Sequence, residues 1–206
     1  MNKYVCGFFL LAILASCNQN MKESEKKPLE QISRTILRNN DSIPSESIFK
    51  LADCFQTQDD SQFRLKMLKG KPTVIAMIFT HCAYACPRLT ADIKNIQDSL
   101  KDSKEKVNFV LVSFDTKRDS SARLKTFANE MGLNKNWILL HGNEETIRTL
   151  SVLLNVQYEE DADGNFSHSN LVSVLDKNGV LKYQKEGLGT KLSESIITIQ
   201  ELLQQK

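Results

Sequence analysis

The chain has almost no surplus charge: 27 lysines and arginines stand against 25 aspartates and glutamates over 206 residues. With both signs interspersed, that balance excludes the basic face expected of a nucleic-acid partner. A spanning helix is missing too. Crossing a bilayer takes about 20 consecutive apolar residues, and the greasy stretch at 5–15 falls short of that. No internal repeat or low-complexity run is present, and the length leaves room for one well-cored domain with a tether rather than two domains. Histidine is scarce, at three (His81, His141 and His168), and cysteine is limited to five. Any site that combines thiolate and imidazole must be built from these few side chains.

The first residues carry a targeting pattern. Met1, Asn2 and Lys3 form a charged start, residues 5–15 a short apolar centre, and Leu14-Ala15-Ser16-Cys17 a small-residue exit, the layout of a secretory signal. Leu-Ala-Ser-Cys resembles the lipobox of bacterial lipoproteins, which implies cleavage before Cys17 and lipid on Cys17; a plain signal peptide and an uncleaved anchor are the alternatives. Cleavage removes Lys3 and leaves 27 − 1 = 26 basic against 25 acidic residues. Residues 18–45 are polar, with a short helical stretch at 29–37 and a break at Pro44. Lys22, Lys26 and Lys27 alternate with Glu23, Glu25 and Glu30, as in a solvated tether rather than a lipid-binding patch. A flexible segment of that length reaches on the order of 30 Å. The expected plan is therefore a lipoprotein signal at 1–16, a flexible membrane tether at 17–45 and a folded domain at 46–206, lipid-anchored outside the cytoplasm and facing the periplasm.

With Cys6 in the leader and Cys17 at the lipid site, Cys54, Cys82 and Cys86 remain for the folded part. An odd number leaves one thiol unmatched in an oxidising compartment. Cys54 lies in a stretch, 48–55, that reads as a strand, and is expected to be a small buried hydrophobe. Cys82 and Cys86 form the natural pair. They sit in Thr80-His81-Cys82-Ala83-Tyr84-Ala85-Cys86-Pro87, immediately after the apolar run at 73–79. Pro87 suits the first turn of a helix, where a missing N–H costs nothing, so both sulfurs are placed near a helix N-terminus. There the backbone N–H groups and the helix dipole favour the thiolate, the form that attacks disulfides and binds soft metals. A structural disulfide or two inert core thiols are the bland alternatives.

Periodicity and turn signals order the remainder. A hairpin is expected over 48–57 and 63–65, then a buried strand at 73–79, a helix at 88–100, a strand at 107–114, a helix at 120–131 and a strand at 137–140. A helix at 144–154 follows. The turn Asp176-Lys177-Asn178-Gly179 joins strands at 171–175 and 180–183, and an amphipathic helix spans 193–204. Uncharged strands alternating with helices imply an α/β fold: a central mixed β-sheet flanked by helices on both faces, with an N-terminal β-hairpin extension.

A cysteine pair delivered by the first core strand to a helix N-terminus resembles the thioredoxin-like fold. Here three residues separate the cysteines instead of two, and no proline follows Pro87 to supply the usual cis-proline; His168 precedes the facing strand instead. These features resemble the Sco (SenC) family of copper-binding assembly factors over residues 47–205. The resemblance rests on the Phe79 to Pro87 motif, on Ser113-Phe114-Asp115-Thr116-Lys117-Arg118-Asp119, and on the segment around His168.

By that resemblance Cys82, Cys86 and His168 are the copper ligands, with Asp115, Arg118 and Asp119 beside the site in a docking or supporting role; the bland reading of those three is a solvated ion-pair loop. His81 belongs to the motif without being a ligand in the family and is expected in a structural, supporting or docking role rather than as a ligand, and His141 is expected to be a capping or surface residue. Two soft thiolates and an imidazole suit Cu(I), also hold Cu(II), and leave a position for a partner's ligand, whereas zinc usually takes a fourth donor. Two departures stand out. Ser167 occupies a place where the family often has an acidic residue, and Thr116 one where it has proline; the first removes a carboxylate that could orient the imidazole. The implied function is a membrane-anchored metallochaperone that assists assembly of the copper site of a respiratory cytochrome c oxidase. Its partner would be the copper-receiving oxidase subunit, or another copper or thiol-redox protein. The alternative is an extracytoplasmic thiol-disulfide oxidoreductase with Cys82 attacking and Cys86 resolving. Peroxide reduction is disfavoured because the Pro-x-x-x-Thr-x-x-Cys arrangement is absent.

Overall fold

The computed structural model describes residues 43–189 and 192–205. The expected leader, the lipid site at Cys17 and the tether up to residue 42 lie outside the described residues. The core begins with β3 (Thr73–Ile78), preceded by the hairpin β1 (Phe55–Thr57) and β2 (Gln62–Phe63). All six residues of β3 are buried. Because successive strand residues point to opposite faces, that run requires cover on both faces of the sheet. β4 (Asn108–Ser113) and β5 (Trp137–His141) continue the parallel core, β3 pairing with β4 and β4 with β5. β8 (Leu171–Leu175) then runs antiparallel to β3, and β9 (Leu181–Glu186) antiparallel to β8. The seven strands are ordered β2-β1-β5-β4-β3-β8-β9. A separate two-stranded sheet consists of β6 (Tyr158–Glu160) and β7 (Phe166–His168).

Among the described residues, four α-helices complete the layers: α1 (Ala85–Ser99), α2 (Ser121–Glu130), α3 (Glu144–Leu153) and α4 (Ser193–Gln204). α1 buries Cys86, Leu89, Ile93 and Ile96 along one stripe, the spacing of an amphipathic helix. It packs on β3 and on α4, while α2 packs on β5 and β1. Ser120 caps α2 by accepting from the Arg123 N–H, and Asn143 caps α3 by accepting from the Thr146 N–H, each cap contributing about 1 kcal/mol. The mixed sheet flanked by helices is a thioredoxin-like fold, as expected.

The hairpin extension is present, but its first arm is shorter than the sequence suggested. Ile48–Lys50 is a 3-10 turn, not a strand. Ile48 and Phe49 are consecutive and both buried, which a half-buried strand does not allow. They dock against the β8–β9 turn: the Ile48 N–H donates to the Gly179 carbonyl, and the Ser47 hydroxyl donates to the Asn178 carbonyl. Gly179 adopts φ +77°, and a Cβ there would stand 2.8 Å from the Phe49 ring. With the chain turned at 48–50, Cys54 is left in an irregular segment and is exposed. The expectation of a buried strand cysteine is therefore wrong.

Candidate metal centre

β3 ends at Ile78, and the chain passes through Phe79, Thr80 and His81 to Cys82 before entering α1 at Ala85. The helix starts three residues earlier than the sequence indicated, so Cys86 lies in its first turn. Cys82 is half-buried and Cys86 fully buried; both are free thiols. The Cys86 N–H donates to Cys82 Sγ at 3.4 Å, and the Phe79 N–H donates to Cys86 Sγ at 3.4 Å.

Those contacts split the two thiols. The Cys86 thiol and the N–H groups of Cys86, Tyr84 and Ala85 all favour a negative Cys82 sulfur. They outweigh its partial desolvation and bring its pKa down to about 4. Cys86 moves the opposite way, well above the ordinary thiol range, because it donates to Cys82 and is buried beside that charge. At neutral pH the pair is one thiolate at the surface and one thiol in the core.

The third group comes from the separate two-stranded sheet. His168 ends β7, and its Nε2 lies 3.7 Å from Cys86 Sγ. Nδ1 is 3.1 Å from the Ser169 carbonyl oxygen. A carbonyl can only accept, so Nδ1 carries a hydrogen and Nε2 is the nitrogen turned towards the thiols. The neighbouring main chain thus supplies the orienting acceptor that Ser167 does not. The two sulfurs and the imidazole nitrogen lie within 4.8 Å of one another. An aromatic floor supports this convergence: the His168 ring packs on Phe114 at 5.2 Å and edge-on to Phe79 at 6.0 Å, while Tyr158 stacks on Phe114 at 4.8 Å. The floor, completed by Phe166, was not picked out from sequence, although Phe79 and Phe114 stand inside the motifs that were.

His81, Asp115 and Asp119 form a second group with potential ligand atoms within 4.8 Å of each other. Their acceptors are already engaged. Asp119 accepts from the Thr80 N–H (2.9 Å), the Thr80 hydroxyl (2.5 Å) and the Ser113 hydroxyl (2.6 Å), and it lies 3.6 Å from His81 Nδ1. Asp115 accepts from the Arg118 N–H (3.1 Å) and from Arg118 Nε (2.5 Å). Both carboxylates are buried, at 1 % and 2 % exposure, so the solvated ion-pair loop does not describe them. Arg123, which the sequence did not flag, donates to the Thr80 hydroxyl and carbonyl. Together these bonds hold the segment just before Cys82. His141 ends β5 and bonds to the Ser121 hydroxyl at 3.0 Å, outside both groups; burial lowers its pKa.

A family model for SCO1/SenC matches residues 46–199. A SCO2-like protein of Rickettsia prowazekii is 30% identical over 151 residues, covering 70% of each chain. Among solved structures, a SCO1/SenC family lipoprotein from Bacillus anthracis superposes with a TM-score of 0.68 at 29% identity, covering 74% of this chain and 93% of that one. The copper-bound ScoI of Bradyrhizobium japonicum shares the fold, with a TM-score of 0.63 at 24% identity over 72% of this chain and 96% of its own. A thiol pair at the head of α1, a histidine at the end of β7 and a family match over residues 46–199 lead to one assignment: the chain belongs to the SCO1/SenC family.

Proposed function

We propose that the protein is a copper chaperone of the extracytoplasmic space, held at a membrane by lipid on Cys17, which carries copper as cargo on Cys82, Cys86 and His168 and delivers it to the copper-receiving subunit of a respiratory oxidase. The observation that carries this reading is the convergence of two sulfurs and one imidazole nitrogen within 4.8 Å. The donor set fits the cargo. Thiolate and imidazole suit copper in either oxidation state, and three donors leave a position open for a partner's ligand. Cys82 is already ionised and Cys86 is not, so Cys86 is the thiol that must surrender its proton when metal enters. Its burial beneath Cys82 ties capture to that proton's release.

The same asymmetry of the thiols favours one second reading. An exposed thiolate above a buried thiol is the arrangement by which Cys82 attacks a partner's disulfide and Cys86 then resolves the mixed disulfide. The pair ends as a Cys82–Cys86 disulfide, and the partner gains two electrons and leaves as a dithiol. His168 separates the two. Anaerobic titration of the reduced protein with Cu(I) against a competing chelator should give one tight equivalent, lost in Cys82→Ser and Cys86→Ser and weakened at least tenfold in His168→Ala. Copper binding indifferent to His168→Ala, with disulfide reduction intact, would shift the assignment to the oxidoreductase.

A further inference from the structure

Lysine is among the side chains least often fully buried, yet Lys185, in β9, is 5 % exposed. Its Nζ donates to the Gly187 carbonyl at 2.9 Å and lies 3.9 Å from Asp92 Oδ2. Asp92, on α1, is itself 6 % exposed, and the same oxygen accepts from the Gly189 N–H at 2.8 Å. A buried pair of this kind adds little net stability over an apolar pair of similar volume. What it does hold is the turn between them. Gly187 and Gly189 adopt φ +91° and +63°, a region that glycine enters without strain, and a Cβ on Gly189 would stand 3.1 Å from Arg88 Nη2.

The turn is bonded onward to the metal centre. The Gly187 N–H donates to the Asn170 carbonyl at 3.0 Å, two residues past His168. The main chain of 168–170 also carries the Ser169 carbonyl that fixes the imidazole. One end of this chain of bonds is therefore α1, which bears Cys86, and the other is the segment that bears His168. β7 itself belongs to the small separate sheet, and the Gly187–Asn170 bond extends the β8–β9 ladder one rung beyond the Leu171–Glu186 pair, so the His168 segment hangs from the last rung of the main sheet, beside the turn.

We propose that the buried Asp92–Lys185 pair is a brace that sets His168 at its distance from Cys86, making Asp92 and Lys185 positioning residues of the metal centre. Lys185 satisfies the Gly187 carbonyl, Asp92 satisfies the Gly189 N–H, and the turn so held presents the Gly187 N–H to Asn170. The inference rests on the copper reading for its consequence, though the brace itself is a property of the metal-free protein.

The test is Lys185→Met/Asp92→Leu in the full chain. Removing both charges together strands neither in the core, so the fold should persist, while both turn anchors are lost. In the metal-free protein, Gly187 and Gly189 amide exchange should quicken at least tenfold and the His168 ring resonances should shift. Alkylation of Cys82 should not change, because the N–H groups that favour its thiolate belong to residues 84–86, two helical turns from Asp92. Copper affinity should fall about 10- to 100-fold, with an altered nitrogen hyperfine pattern in the Cu(II) spectrum. Lys185→Gln/Asp92→Asn keeps a donor for Gly187 and an acceptor for Gly189 without charge, and should restore amide protection and affinity to within about threefold of wild type. If the Met/Leu pair does not fold, Lys185→Met/Asp92→Asn replaces it, retaining only the Gly189 anchor, and should fall between. A folded Met/Leu variant with wild-type amide exchange, His168 resonances and affinity overturns the brace. Failure of the wild-type protein to bind copper overturns the copper reading instead and leaves the metal-free measurements to decide the brace.

Discussion

Replacing Asp119 by asparagine tests whether the segment ahead of Cys82 is held by a buried carboxylate. Asp119 is 2 % exposed and accepts three hydrogen bonds, two from Thr80 and one from Ser113. Asparagine keeps the size but turns one acceptor into a donor. If its NH2 faces the Thr80 N–H, two donors collide. If it takes the other position, it meets the Thr80 hydroxyl oxygen, which already accepts from Arg123 Nε at 2.9 Å. In the first orientation the Thr80 N–H and the Ser113 hydroxyl lose the oxygen they share, and in the second the Thr80 hydroxyl loses its acceptor, so at least one charge-assisted bond is lost and the surviving bonds are made to a neutral group. Hydrogen bonds to charged groups contribute about 1.5–3 kcal/mol each, so the cost should be about 2–4 kcal/mol. In a domain of this size 1 kcal/mol moves Tm by about 2–4 °C, which predicts a fall of roughly 5–15 °C for the reduced, metal-free protein at neutral pH. Thr80→Val, which keeps the main-chain bond and loses only the hydroxyl, should cost about half as much. Calorimetry or circular-dichroism melting reads both. An Asp119→Asn variant melting within about 2 °C of wild type would refute the idea that these bonds anchor the loop.

Two further outcomes follow from the same geometry. Cys82 should alkylate with iodoacetamide at a rate nearly flat from pH 9 down to pH 6 and falling only as pH approaches about 4; a rate that drops tenfold per pH unit below 8.5 would mean an ordinary thiol. The sign for stability agrees: a folded pKa depressed below the unfolded value of about 8.5 contributes stability that is present above it and lost as pH falls towards 4. Gly179→Ala should lower Tm by about 5 °C or more, since the new methyl combines a left-handed backbone with a 2.8 Å approach to the Phe49 ring. A melting temperature unchanged in Gly179→Ala would show that residues 47–50 do not dock on this turn in solution.

Legibility in the sequence followed the range of the interactions. β3 and the thiols could be read because six consecutive buried residues lead, within one short segment, to a helix whose first turn contains Pro87. The turn Asp176–Gly179 could be read because the Asp176 carboxylate accepts from the Asn178 and Val180 N–H groups two and four residues on, a local bond that turn residues announce. Cys54 misled because the apolar pattern at 48–55 has a strand's composition, while Phe49 answers to Gly179 far along the chain. The β6–β7 hairpin was missed altogether. Its strands are three residues each and largely polar on one face, and what secures them is the packing of Tyr158, stacked, and Phe166, edge-on, against Phe114, a contact no periodicity reveals.

The same division explains the site. Cys82 and Cys86 are set by the sheet and α1, where hydrogen bonds within a few residues fix both sulfurs and split their acidities. His168 is carried on a small sheet outside the main one and is joined to the thiols by packing, by the Ser169 carbonyl and by the Gly187 turn. A site built this way has one rigid half and one half whose position depends on several weaker, distant bonds. On the proposed copper reading, local opening of the His168 half, which costs less than unfolding the core, would change the number of donors while both sulfurs stay in place. Cargo held by three fixed donors would be hard to release, whereas withdrawing one would open the way for an acceptor's ligand.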